Sequence, residues 1–259
     1  MPGETGNTSP QIARIEHAIP HHPELPSRAV LERYRQKSEW FETYSNREHA
    51  KSKVHGSGHH ARVLVWSAHL ASQLPETIQE SLNTEALYWA ASIHDLGRTS
   101  NYELNELRKF PHHQKPHEER GEKWARDNWQ LLDPNLSQET VEMIAVLVRN
   151  HGEHGEKMSS NPIEQQILIY ADILEIKRAL KGVPESIRRH APAGLKTPPN
   201  PLAALSRAIV RNRTRSEDVT ALLPTARQFV RQSHRHPVYA ADPYTAVFDV
   251  AQHLQLIGD

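Results

Sequence analysis

Cysteine is absent from this 259-residue chain. That excludes disulfides and thiolate metal sites, and leaves His, Asp and Glu as the side chains able to hold a cation. No apolar run approaches the ~20 residues that cross a bilayer. The start, MPGETGNTSPQIARIEH, has no charged-then-apolar export pattern. The expectation from both is a cytoplasmic protein with no membrane partner. Internal repeats are missing too, and no run alternates with the period of two that marks a half-buried strand. Net charge is formally zero, so no overall field of one sign draws a partner.

The charge is nevertheless uneven. Between Lys177 and Arg235 there are thirteen Lys or Arg against Glu185, Glu217 and Asp218, a surplus of ten that the rest of the chain balances. Such a segment either attracts an anionic ligand, nucleic acid included, or forms solvated helix faces beside an acidic body. Aromatic interleaving is sparse there, with Phe229 and Tyr239 the nearest rings, which argues against a stacking platform for single strands. Histidine is the one residue in excess, with 18 copies. Chance His pairs are therefore cheap, and only a constellation in defined structural positions carries weight.

The length suits one large domain or two small ones, and the pattern is helical almost throughout. Pro26 to Ala50 reads as an amphipathic segment, and VHGSGHH as a loop opening a helix from His59 to Leu74. A short, very apolar helix follows from Thr84 to His94. The stretch from 96 to 116 reads as an irregular polar loop over a site. Helices are expected from His117 to Leu132 and from Ser137 to about Asn150, then from Pro162 through Leu180 with the proline in the first turn. The stretch 191–201, APAGLKTPPNP, reads as a linker. Helices near 201–212, 217–232 and 243–257 follow it. The expectation is an all-α fold: an N-terminal helical segment over 1–50, a core over 51–190, and a helical C-terminal extension over 191–259 packed on that core.

Five of these helices place an ionisable group on, or at the end of, the apolar face. His59 stands above Val63, Trp66 and Leu70. His94 and Asp95 close the face of Leu87, Ala90 and Ala91. His117 shares a face with Gly121 and Trp124, His151 lies on the stripe of Ile144, Leu147 and Val148, and Asp172 is flanked by Leu168, Ile169 and Ile176. Any one of these is more often a helix cap or a satisfied core residue than a ligand. Buried Asp is rarer than buried His unless it is paired or coordinating, so Asp95 and Asp172 weigh most. Separate burials need separate partners, whereas one or two divalent cations would satisfy all of them.

HHARV from His59, HDLGR from His94 and ADILEIKR around Asp172 resemble the H…HD…D signature of the HD-domain metal-dependent phosphohydrolases. HGSGHHARV is similar to the HGxxHxxRV start of many bacterial members, which aligns His59 with the first ligand. The resemblance spans about 53–181. It implies an HD-like helical bundle in which His59, His94, Asp95 and Asp172 bind one metal. His117 and His151 stand where a subset of the family holds a second metal, with His154 as a substitute for His151. The Gly-Tyr-Pro motif of the cyclic-dinucleotide branch is missing.

Mixed imidazole and carboxylate ligands suit Mn, Fe, Co, Ni or Zn better than Mg. The expected chemistry is hydrolysis of a nucleotide or related small phosphate ester by a metal-activated water, with Asp95 as the bridge if two metals bind. Arg98, Lys115, Lys177 and Arg178 are the cations placed to neutralise a phosphate, Arg98 and Lys115 nearest the chemistry; Arg62 reads as a structural pair for a nearby carboxylate. Two other readings stay open. A di-iron oxygenase that cleaves a C–C or C–P bond would use the same six ligands, and a non-catalytic sensing module would use the basic segment to contact nucleic acid or a protein. The C-terminal helices either complete the pocket or form a homodimer interface.

Overall fold

The computed structural model describes residues 24–35, 56–97, 116–152, 161–175, 200–211 and 216–259. Among them the fold is all-α: ten helices and, apart from one isolated bridge between Ser27 and Gly258, no β pairing. The helices are α1 (Arg28–Arg35), α2 (Ser57–Ser72), α3 (Glu76–Gln79), α4 (Thr84–Ile93), α5 (Pro116–Leu132), α6 (Gln138–Asn150), α7 (Ile163–Leu174), α8 (Pro201–Val210), α9 (Ser216–Arg235) and α10 (Pro243–His253). None is long and apolar enough to cross a membrane.

Helix α2 is the axis of the fold. Every residue from Ser57 to Ala71 is buried, so the helix has no wet face, and its polar members His59, His60, Arg62 and His69 are buried with the rest. Helices α4, α7, α8 and α10 pack around it. Trp66, only 1% exposed, meets Phe229 of α9 edge to face with ring centroids 6.1 Å apart. Ser206 of α8 donates to the Leu70 carbonyl at 3.2 Å. The helices after the 191–201 stretch therefore share one continuous apolar core with those before it. Helices α5 and α6 pair with each other, and α6 also lies on α4.

Local chemistry sets the helix starts. Asn83 accepts from the Ala86 amide, Ser137 from Thr140, Asn200 from Ala203 and Asp242 from Thr245. Each satisfies one of the orphan N–H groups of a first turn. The short α1 packs Tyr34 against Tyr88 and Trp89 of α4. Its flank is tied to the chain end by backbone bonds Arg28 N–H to Gly258 O and Gly258 N–H to Pro26 O, with the Arg28 guanidinium on Asp249 at 2.7 Å.

Several expected boundaries move, two of them by four residues or more. The helix expected to run from Pro162 through Leu180 ends at Leu174, because Glu175 is extended (φ −77°, ψ 165°). The last helix, expected over 243–257, ends at His253, and Gln255 takes a positive φ of 56°. Of the segment expected to be helical from Pro26 to Ala50, residues 36–50 lie outside the described residues, as do residues 98–115 of the loop expected over 96–116 and residues 191–199 of the linker.

Candidate metal centre

Six residues from five helices or their ends meet in the buried centre of the bundle. His59 sits in the first turn of α2, His94 and Asp95 follow the last residue of α4, His117 begins α5, His151 caps the C-terminus of α6, and Asp172 is in the last turn of α7. Their exposures run from 0% at His94 to 8% at His117. Two close approaches set this arrangement. A Cβ on Gly97 would overlap the His117 carbonyl oxygen and lie 2.7 Å from the Gly121 amide nitrogen. Backbone contact at that point, clamped by Arg120 Nε donating to Gly97 O at 2.8 Å, brings the end of α4 against the start of α5. His94–Asp95 and His117 thereby share one space.

Asp95 stands between two groups of imidazoles. Its Oδ2 faces His59 Nε2 at 3.5 Å and His94 Nε2 at 3.9 Å, while its Oδ1 faces His151 Nε2 at 3.3 Å and His117 Nε2 at 3.6 Å. His59 Nε2 is also 3.0 Å from His94 Nε2 and 3.7 Å from Asp172 Oδ1. Two sets of donor atoms are each compact enough for a cation: His59, His60, His94 and Asp95 on one side, and Asp95, His117 and His151 on the other.

The histidines are held in the tautomer that ligation needs. His94 Nδ1 lies 3.0 Å from Ala91 O, and His151 Nδ1 lies 2.7 Å from Val148 O. A carbonyl only accepts, so each Nδ1 carries the proton and each Nε2 presents a lone pair to the centre. Burial pulls the pKa of His94 well below the ordinary value, with Asp95 opposing and His151 and His59 adding to the fall. Burial likewise lowers His151 against the pull of Asp95. Both rings are thus neutral, as a ligand must be.

His59 is tuned the other way. Burial lowers its pKa, but the Glu175 and Asp95 carboxylates outweigh it and the net shift is upward. Its Nδ1 is 2.9 Å from Glu175 Oε2, a carboxylate–imidazole pair of the kind that orients a ligating ring and raises its basicity. Glu175 Oε1 in turn accepts from Arg62 Nε and Nη2 at 2.9 and 2.6 Å. Burial would push Glu175 up; Arg62 and His59 bring it down to about 2. Arg62 is therefore the structural partner of a buried acid, as its sequence context suggested. The donor chemistry fits divalent cations: neutral Nε2 atoms in fixed tautomers, and a shared carboxylate with one oxygen toward each group.

Residues 56–177 match the HD domain family. The chain carries an HD domain. No curated protein matches the chain, and no solved structure does. HD domains are in general metal-dependent hydrolases, and the buried His and Asp groups here are able to bind divalent metal ions as theirs do. The match ends near Lys177, so α8, α9 and α10 lie beyond the HD domain although they pack on its central helix.

The structure brings together His59, His94, Asp95, His117, His151 and Asp172. Arg98, Lys115, Lys177, Arg178 and His154 lie outside the described residues. The sequence reading did not single out His60, Glu175 or Glu118. His60 is fully buried against the His59 and His94 rings, with centroids 5.2 and 5.0 Å away. Glu118, 4% exposed, bears electrostatically on His151. Of the three, Glu175 left a readable trace, as an acid inside the apolar run ILIYADILEI.

Proposed function

We propose that this HD domain is a dinuclear metal-dependent phosphohydrolase acting on a nucleotide or related small phosphate ester. The observation that supports it best is the division of Asp95, whose two oxygens face separate histidine pairs. His59, His94 and Asp172 would hold one cation, with His60 within reach of it, and His117 and His151 the other, with Asp95 common to both. Bound divalent metals of the Mn, Fe, Co, Ni or Zn type lower the pKa of water from 15.7 to about 7 and polarise a phosphoryl oxygen. The chain supplies the rest. Glu175 and Arg62 hold His59 in orientation, the Ala91 and Val148 carbonyls fix the tautomers of His94 and His151, and the apolar walls of α2, α4, α6 and α7 exclude bulk water and strengthen every charge interaction inside.

Arg98 and Lys115 are the proposed phosphate-neutralising cations, with Lys177 and Arg178, which follow Asp172 in the sequence, in the same role. The substrate is proposed to be a small anion in the cytoplasm, and the basic 177–235 segment to add to its attraction.

The test is metal analysis per chain combined with phosphate release from a panel of nucleotides and small phosphate esters under anaerobic conditions. Close to two metals per chain and release that is lost in Asp95→Asn support the reading. Full activity in metal-free protein refutes it. Iron-dependent oxygen consumption without phosphate release assigns the same ligands to an oxygenase instead, and metal binding without either reaction assigns them to a sensing module.

A further inference from the structure

We propose that Tyr239, supplied by the segment beyond the HD domain, is a positioning residue of the metal centre that acts on His59 through Arg62 and Glu175. The inference rests on the reading of the cluster as a metal centre and is independent of the substrate.

Four groups in contact carry it. Tyr239 lies in the turn between α9 and α10, fixed by its amide on the His236 carbonyl at 3.0 Å. Its hydroxyl accepts from Arg62 Nη1 at 3.3 Å. The other two donors of the same guanidinium, Nε and Nη2, converge on Glu175 Oε1. The second oxygen of Glu175 lies 2.9 Å from His59 Nδ1, and His59 presents Nε2 to Asp95 and His94.

The shape of the Arg62 contact gives Tyr239 its role. Both donors toward Glu175 meet one oxygen, so the planar guanidinium is free to pivot about that atom. A bidentate pair on two oxygens would fix the plane by itself. The contact at Nη1, the nitrogen not engaged by Glu175, removes the pivot. It does so inside the protein, where Arg62 is 0% exposed and water offers no substitute.

The sequence makes room for this arrangement at Gly58. A Cβ there would overlap the Tyr239 hydroxyl and stand 2.8 Å from Cζ. The ring thus lies flush on the first turn of α2, one residue before His59. Packing alone would account for a ring on a glycine, with His234 closing its other side at 4.7 Å between centroids. It does not account for the hydroxyl aimed at the buried arginine that orders the Glu175–His59 pair.

Tyr239→Phe keeps the ring and deletes the contact. The experiment titrates the metal-free full chain with Co²⁺, following the visible ligand-field bands and competition with a chelator, in wild type, Tyr239→Phe, Glu175→Gln and the double variant. Outer-sphere partners of ligating histidines are worth 10–100-fold in metal affinity. We expect Tyr239→Phe to weaken the first cobalt by roughly tenfold, Glu175→Gln to weaken it at least as much, and the double variant to match Glu175→Gln, because both changes break one chain. Thermal melts of the metal-free proteins should show Tyr239→Phe folded, melting below wild type by no more than the loss of one buried hydrogen bond.

Wild-type cobalt affinity and bands in Tyr239→Phe overturn the inference while leaving the metal centre standing. So does a Tyr239→Phe effect that persists in full on the Glu175→Gln background, since Tyr239 would then act by another route. Wild-type protein that takes up no cobalt refutes the metal centre, and the inference with it.

Discussion

Replacing Arg62 with methionine tests the buried support of the site directly. Arg62 and Glu175 are 0% and 3% exposed and are joined at 2.6 Å. Removing one partner of a buried pair costs about 3–5 kcal/mol, because the other charge stays behind without compensation. The titration of Glu175 gives an independent figure. A carboxyl held at about 2 rather than its ordinary 4.5 contributes about 3 kcal/mol of stability at neutral pH. The folded pKa is the lower one, so this stability is present in full above pH 4.5 and is lost as pH falls through about 2. Without Arg62, burial raises the Glu175 pKa instead, and the variant suffers most where the carboxylate must stay charged. Urea unfolding of metal-free Arg62→Met should therefore show a loss of about 3–5 kcal/mol at pH 7. That corresponds to roughly 6–10 °C in melting temperature for a chain of this size. The gap should narrow below about pH 4.5 as the unfolded wild type takes up its proton. Adding Glu175→Leu should recover much of the loss. A deficit under about 1 kcal/mol at pH 7, the size of an exposed pair, or one equally large at pH 4, would refute the account of this pair.

Three further outcomes are expected. Gly97→Ala should separate α4 from α5, cost about 1–3 kcal/mol as an overpacked contact, and lower metal content per chain by moving His117 away from Asp95; unchanged melting and stoichiometry would show the contact to be slack. His69, 7% exposed and lowered to about 4 by burial against the help of the Leu256 backbone, is neutral when folded and takes a proton when unfolded, so stability should fall as pH drops from about 6.5 toward 4, and His69→Phe should flatten that limb of the pH–stability curve. Chelation should lower the melting temperature and re-addition of Mn²⁺, Co²⁺ or Zn²⁺ should restore it, with about 2.7 kcal/mol of stabilisation when free metal is 100 times its dissociation constant; a melt indifferent to chelator would count against a resident metal.

Much of the site was legible along the chain because its residues punctuate helices. Apolar spacing placed His59, His94, His151 and Asp172 on inward faces, and a helix end is where two adjacent residues such as His94 and Asp95 both reach one interior. The boundary at Glu175 was not legible. Local pattern carried the helix on to Leu180, whereas the chain turns out at Glu175, whose carboxylate meets Arg62 across 113 residues of sequence. His60 was equally opaque, since an imidazole one residue beyond His59 reads as the neighbouring helix face until α4 is seen to cover both.

The sequence by itself determined the helical class, the nitrogen and oxygen character of any ligand set, and which helices carry it, because periodicity and side-chain chemistry are local properties. Tertiary structure alone decided that Asp95 divides its oxygens between two groups of histidines, that Gly97 and Gly121 set the spacing of that cluster, and that Tyr239 reaches Arg62 from 177 residues away. Those are relations between helix faces, and the packing of one face on another is fixed only when the whole core closes.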